Sequence, residues 1–413
     1  MCTWTVTAVI DYYNRNGKPV YGCAMDMSKA FDMVEWGELF VTLKCRGVDA
    51  IYLRLLLYIY QNQQCDVKWA GKYSHRFSVS NGVRQGAVSS AILFSIYINE
   101  LFVILRKAEF GCQINGVFLG CFGYADDLFL VSASRTGLQA MVNLCQEFAA
   151  SKNLKFSTHV NPDKSKTKCL VFSKKAKDRE NVLPVLLNGD PLPWVSQVKH
   201  LGNLLQLDNS MKVDLSQKRG KFIGKVVSLF QEFHYVDPDV LVKILNIFTT
   251  SFYGSSLWDI FSSDCDRLLK SWNVAIRQAF HVDRCTHRYL VETISNSMHP
   301  KVMLSSRYVT FHRSLISSTK LSVRLLARLF EKDKRTVLGR TLDSLCTQCN
   351  VPDITSLTAN MVKTRLRYFD IPDEEQWRAN SVSELLQLKT ESLSLPGFSA
   401  EEVQDMLDFV CIS

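Results

Sequence analysis

Cys121–Ser132 reads CFGYADDLFLVS, and two adjacent aspartates, Asp126 and Asp127, interrupt an otherwise apolar run. Like charges side by side among apolar residues are costly unless something neutralises them. Phe118–Phe122 and Leu128–Ser132 are expected as two short strands, with the aspartates at the bend between them. Carboxylates at a hairpin bend can aim their oxygens at one point. A hard cation such as Mg²⁺ wants such oxygens, usually one or two carboxylates plus substrate phosphates. A two-metal centre for in-line phosphoryl displacement needs a further carboxylate from a neighbouring strand. Asp26 is the obvious candidate, because it closes the strand-like run Val20–Met27 (VYGCAMDM), with a helix expected from about Ser28. It lies 100 residues before Asp126 (126 − 26), which is no obstacle if the two strands pair in one sheet. The competing reading is structural: Asp126 and Asp127 cap a turn and Asp26 is a helix N-cap.

The flanking chain places these residues in an α+β region. Val48–Gln61 reads as a helix or a pair of helices, Asp66–Ser80 alternates about Gly71 as a hairpin does, and Asn81–Gly86 is a Gly-rich turn. Ser90–Arg106 is expected to be helical, and Leu138–Ala150 puts Leu138, Met141, Val142, Cys145, Phe148 and Ala149 on one helical face. Lys168–Ser173 and Lys199–Leu207 are further strand candidates. From about Asp208 the pattern becomes helical, with Leu215, Phe222, Val226, Leu229 and Phe233 in one stripe flanked by Lys218, Arg219, Lys221 and Lys225. The expected division is 1–206, 207–285 and 286–413, the first part α+β and the rest nearly all helical.

Composition narrows the function classes. A chain of 413 residues, 47% hydrophobic and 22% charged, can bury a large core and is not of disordered composition. A net charge of +9 suits a polyanionic partner without proving one. Thirteen scattered cysteines read as reduced intracellular thiols. Cys346-Thr-Gln-Cys349 has no second pair or histidine cluster to complete a zinc site, so two helix thiols is the plainer reading. Met1–Ile10 lacks the basic start of a signal peptide, and the apolar stretch Ala91–Leu105 is broken by Asn99 and Glu100. The expectation is a soluble or peripherally bound protein with no membrane span and no particular protein partner indicated; the compartment is left open, intracellular and nuclear or cytoplasmic if the chain is expressed.

Three ordered motifs carry a resemblance. Asp26-Met-Ser-Lys-Ala-Phe-Asp32, Asn81-Gly-Val-Arg-Gln-Gly86 and Tyr124-Ala-Asp-Asp127 resemble the A, B and C motifs of reverse transcriptases, most closely those of LINE-type non-LTR retrotransposons. Asn161-Pro…Lys166-Thr-Lys-Cys-Leu-Val-Phe172 and His200-Leu-Gly202 follow in the family's order. Thr286-His-Arg-Tyr-Leu290 loosely resembles the region after the polymerase in such elements. The resemblance implies a palm with partial fingers over 1–206, a helical thumb over 207–285 and a helical extension over 286–413. It implies RNA-directed DNA polymerase activity on an RNA template and DNA primer, using dNTPs and two Mg²⁺ ions, with Mn²⁺ as a substitute.

The same resemblance assigns residues. Asp26, Asp126 and Asp127 would be the catalytic metal ligands. Met27, Ala30, Phe31, Gln85, Gly86 and Lys166 would meet the incoming nucleotide, Phe31 excluding a 2′-hydroxyl and Lys166 standing near the pyrophosphate. Arg84, Tyr124, Lys164 and Lys168 would contact nucleic acid. The alternatives on the residues themselves are core packing for Phe31, an ordinary turn for Gln85 and Gly86, and solvated charge for Arg84 and Lys166. Lys164–Arg179 carries seven basic residues in sixteen, which suits either a solvated face or phosphate contact. Only 25 residues precede Asp26, with Arg15 and Lys18 the basic ones. Ser89 and Ala91 stand where the family usually has Leu and Pro. An incomplete copy lacking most of the fingers is therefore expected. The alternative is a catalytically inactive nucleic-acid-binding remnant of the same fold.

Overall fold

The computed structural model describes residues 1–159, 164–286, 291, 292, 295 and 297–366. Asn161-Pro162, most of the 286–290 segment and the chain after 366 therefore lie outside the described residues. The chain divides into two compact units, Met1–Asp214 with Leu315–Leu329, and Leu215–Ser314 with the chain from Phe330.

The first unit mixes helix and sheet. Helix α1 (Cys2–Arg15) leads into strand β1 (Val20–Asp26), then α2 (Trp36–Cys45) and α3 (Ala50–Gln61), which Asp49 caps by accepting from the Ile51 N–H. Four two-residue strands follow: β2 (Gln64–Cys65), β3 (Lys68–Trp69), β4 (Lys72–Tyr73) and β5 (Phe77–Ser78). After α4 (Ser90–Ala108) come β6 (Gln113–Ile114), β7 (Val117–Phe118), β8 (Cys121–Tyr124), β9 (Asp127–Ser132), α5 (Arg135–Ser151) and β10 (Lys168–Phe172). Two small hairpins, β11 (Leu186–Leu187) with β12 (Asp190–Pro191) and β13 (Gln197–His200) with β14 (Asn203–Gln206), complete the strands.

The main sheet runs β10-β1-β9-β8, antiparallel between every neighbouring pair. Central β9 is buried along both faces, which explains its nearly unbroken apolar sequence. Cys23, Met25, Leu128 and Leu130 join one core with Leu39 of α2, Phe94 and Leu101 of α4, and Met141 and Cys145 of α5. All six α5 residues read from the sequence as one face are buried. On the other face Gly22 makes room for aromatic rings: a Cβ there would come within 2.8 Å of Phe172 and 3.3 Å of Phe129. His200 packs on Phe129, and Thr3 of α1 reaches His200.

Three expected elements take a different form. The helix placed near Ser28 begins at Trp36, because the intervening chain is held as turns. There Lys29 has φ +50°, its carbonyl accepts from Asp32 and Met33, and the Ser28 N–H donates to Lys155. Lys199–Leu207 is the β13–β14 hairpin rather than one strand, reversing at Leu201 and Gly202, with φ of +46° and +78°. Phe118–Phe122 is split between β7 and β8 where Gly120 closes on Gly111, so that a Cβ on Gly120 would be 2.5 Å from the Gly111 Cα.

Among the described residues the second unit contains helices and no strand. Its α6 (Lys212–Glu232, from Leu215), α7 (Pro238–Thr249) and α8 (Ser263–Ala279) bury Leu215, Phe222, Val226, Leu245 and Trp272. Leu229 and Phe233 of the α6 stripe are half-buried. Cys346 and Cys349 pack in an apolar cluster with Leu345, Leu357 and Val362. Every described cysteine is free, and no described helix is long and apolar enough to cross a membrane.

Candidate active site

The sheet register assembles the carboxylates. Asp26, the last residue of β1, pairs directly with Asp127, the first residue of β9. Directly opposed residues on antiparallel strands stand on the same face with Cβ atoms about 5 Å apart. Tyr124 pairs with Asp127 across the β8–β9 turn, whose central residues are Ala125 and Asp126. Ala125 has φ +55°, a left-handed conformation that costs an L-residue about 1 kcal/mol or more. A two-residue reversal of this kind is what keeps Asp126 adjacent to the paired aspartates.

The electrostatics record the crowding. Asp127 is exposed as a residue, yet partial desolvation of its carboxyl first, and the charges of Asp126 and Asp26 second, push it above its ordinary pKa. Asp26 Oδ2 is buried without a hydrogen-bond partner, and Lys166 Nζ lies 3.5 Å from it. The Asp26 N–H donates to Thr167 Oγ1 at 3.3 Å, which fixes the end of β1 against β10. Beyond Asp26, Met27 bridges to Phe156 and the Asp26 carbonyl accepts from the Ser157 N–H. Among the described residues, no group of three or more His, Cys, Asp or Glu is gathered tightly enough to enclose an ion. What the three side chains would offer a hard cation is carboxylate oxygens only: Asp26 Oδ2 is buried with the Lys166 ammonium 3.5 Å away, and desolvation first, then the neighbouring charges, holds Asp127 back from ionising.

A second group of candidates is docked beside the first by the loop at 81–86. Val83 N–H donates to the Phe31 carbonyl at 2.7 Å and Gly82 N–H to the Val34 carbonyl at 2.8 Å. Trp36 Nε1 returns a bond to the Gly82 carbonyl at 2.8 Å, and Gln85 Nε2 donates to Asp32 Oδ1 at 3.1 Å. Phe31 is half-buried, with its ring stacked on Phe94 at 4.9 Å and 20°. Gly86 has φ +83° and open space around the position of a Cβ.

The remaining candidates are placed as follows. Met27 and Ala30 are buried in the core, so only their backbone can face a ligand. Tyr124, Arg84 and Lys164 are exposed, and Lys168 is half-buried in β10 opposite Ala24. The basic flank of α6 is largely engaged within its own unit. Lys218 Nζ donates to the Tyr253 carbonyl and lies over the Tyr253 and Trp258 rings, Arg219 donates to Ser271, and Lys225 to the Phe248 carbonyl. Sequence reasoning assigned no role to Asp32, Thr167 or Trp36. Asp32, a charged residue closing the Asp26–Asp32 motif, was the one legible signal among them.

Residues 2–207 match the family model described as reverse transcriptase (RNA-dependent DNA polymerase). The Pol polyprotein of the type-2 retrotransposable element R2DM of Drosophila melanogaster is 27% identical over 152 residues, 37% of this chain and 14% of that protein. A Pol polyprotein of a type-1 element R2 of Nasonia vitripennis is 27% identical over 176 residues, 42% of this chain and 17% of that protein. The transposon TX1 149 kDa protein of Xenopus laevis is 28% identical over 159 residues, covering 38% and 12%. The match thus spans less than a fifth of each of these relatives. Among solved structures, telomerase of Candida albicans in complex with a fragment of telomeric RNA aligns with a TM-score of 0.40 at 12% identity, covering 86% of this chain and 52% of that one. Over residues 2–207 the chain belongs to the reverse transcriptase family, of the kind carried by non-LTR retrotransposons.

Proposed function

We propose that this chain adds deoxynucleotides to a DNA primer 3′-hydroxyl on an RNA template. The observation that carries the reading is the Asp26–Asp127 register pair with Asp126 in the adjoining turn. Asp26, Asp126 and Asp127 would hold two Mg²⁺ ions, or Mn²⁺ in their place. When bound, such ions activate the primer hydroxyl and offset charge on the transferring phosphate. Lys166, 3.5 Å from Asp26, lowers the repulsion among the carboxylates and would meet the leaving phosphate. The Phe31 ring, backed by Phe94, is a stiff wall against a sugar 2′-hydroxyl. Gln85 is held by Asp32 with its amide still exposed, and Gly86 leaves room for a base pair to approach the backbone. Arg84, Tyr124, Lys164 and Lys168 offer charge and a ring to the template and primer. In this reading 1–206 are palm and partial fingers, 207–285 a thumb and 286–413 a helical extension.

Primer extension on an RNA template tests it. Extension should require Mg²⁺, and Asp126→Ala should reduce it by more than about a hundredfold. Phe31→Ala should retain dNTP incorporation and admit ribonucleotides at least about tenfold better, a difference of about 1.4 kcal/mol in discrimination. Extension equal in wild type and Asp126→Ala would remove the carboxylate site from the chemistry. Absent extension with retained duplex binding would leave a nucleic-acid-binding protein without polymerase activity.

A further inference from the structure

The β2–β5 hairpin presents aromatic rings to solvent beside uncompensated positive charge. Its outer pair is β2 with β5, and its inner pair is β3 with β4, in the register Lys68↔Tyr73 and Trp69↔Lys72. The reversal uses Ala70 and Gly71, with φ of +47° and +80°, so the tip is a tight two-residue turn. Trp69 is 82% exposed, Tyr73 62% and Phe77 50%. Lys68 Nζ lies 5.2 Å over the Tyr73 ring, and Arg76 approaches Asp66 only at 4.0 Å. Lys68, Lys72 and Arg76 thus stand against the single acid Asp66.

An exposed indole is an unfavourable thing to leave in water, and aromatic rings alternating with cations are the composition that takes stacked bases and phosphates. Register puts Trp69 and Lys72 side by side on one face, where a base can stack on the indole while the ammonium meets the adjoining phosphate. The hairpin is also continuous with the candidate active site. From β5 the chain passes directly into the 81–86 loop, which is bonded to Phe31, Asp32, Val34 and Trp36.

We infer that the β3–β4 tip is a stacking platform for single-stranded RNA, Trp69 holding a base and Lys72 a phosphate. The choice of RNA rests on the polymerase reading above, since the unpaired strand in that reaction is the template. Stacking of this kind tolerates any base, so the platform grips the strand without reading its sequence.

Fluorescence anisotropy with a labelled oligouridylate, together with primer extension, tests the platform. Trp69→Ala should weaken binding of the single strand about tenfold, Trp69→Phe should restore most of it, and Lys72→Ala should flatten the salt dependence. Because Trp69 is on the surface, circular dichroism of Trp69→Ala should match wild type. Extension on a template with only a very short unpaired overhang should be unchanged in Trp69→Ala, whereas extension on a long unpaired template should lose processivity. Oligouridylate binding unaffected by Trp69→Ala overturns the platform, even if extension is robust. Self-association that Trp69→Ala abolishes, with no effect on RNA binding, overturns it in favour of a second copy of the chain. Loss of extension in wild type with intact, Trp69-dependent RNA binding overturns the polymerase reading and leaves the platform standing.

Discussion

At the scale of single residues, Asp127 is where the fold and its chemistry oppose each other. Partial desolvation and the charges of Asp126 and Asp26 raise its pKa above the unfolded value of 3.8. The folded state therefore holds the Asp127 proton more tightly than the unfolded chain does. The resulting stabilisation is present below about pH 3.8 and is lost as pH rises through the raised folded value. Above that window the ionised group weakens the fold. Asp127→Asn should accordingly raise Tm at pH 7 in the absence of divalent ions, and the gain should vanish below pH 3.8. Mg²⁺ should raise the Tm of wild type more than that of the variant. Thermal melts at pH 3 and pH 7, with and without Mg²⁺, read out both effects. A variant no more stable than wild type at pH 7 would show that the fold does not disfavour the ionised Asp127 carboxylate.

At the scale of elements, two glycines in one loop separate backbone strain from contact. Gly82 and Gly86 both have positive φ, +85° and +83°. A Cβ at Gly82 would stand 2.9 Å from the Asp32 carbonyl oxygen, whereas one at Gly86 meets nothing within 4 Å. Gly86→Ala should cost about 1 kcal/mol of strain, and Gly82→Ala at least about 1 kcal/mol more, since the loop must shift off Asp32. Urea unfolding of the two variants measures the difference; equal losses would mean that the loop gives way freely. The same loop marks the limit of what the sequence discloses. Apolar period made β1, β9 and the buried face of α5 legible, because their burial follows directly from spacing. The motifs named the carboxylates, and strand pairing then brought Asp26 to Asp127. Turns closed at non-glycine residues with positive φ, such as Lys29 and Leu201, were not legible, since distant contacts impose those conformations. Nor were the bonds from Trp36 to Gly82 and from Gln85 to Asp32, which join segments 46 and 53 residues apart.

At the scale of the first compact unit, the two ends of the residue 1–214 segment are tied across the sheet by a buried histidine. Thr3 Oγ1 lies 3.2 Å from His200 Nδ1, a contact 197 residues apart in sequence. Asn209 Nδ2 donates to the Thr7 carbonyl at 2.9 Å, a second such tie. His200 is 4% exposed, packs on Phe129 at 5.1 Å between ring centres, and leaves Nε2 without a partner. Burial alone holds its pKa down to about 4 from 6.5. Among the described residues no carboxylate compensates the charged form, so the neutral imidazole is what the core accepts. The stability this represents is complete above pH 6.5 and is lost as pH falls towards about 4. A displacement of that size corresponds to about 3 kcal/mol, a large share of the stability of an ordinary domain. Urea unfolding should show wild type weakening over that interval. His200→Phe keeps a ring against Phe129 with nothing to protonate, and should be nearly level there once the carboxylate contribution below pH 4.5 is excluded. Because His200 bears on Phe129 of β9, the strand that Asp127 begins, mild acid should loosen the sheet under the carboxylates. Parallel slopes in wild type and His200→Phe would mean that protons enter elsewhere and that His200 is not the group that couples acid to this sheet.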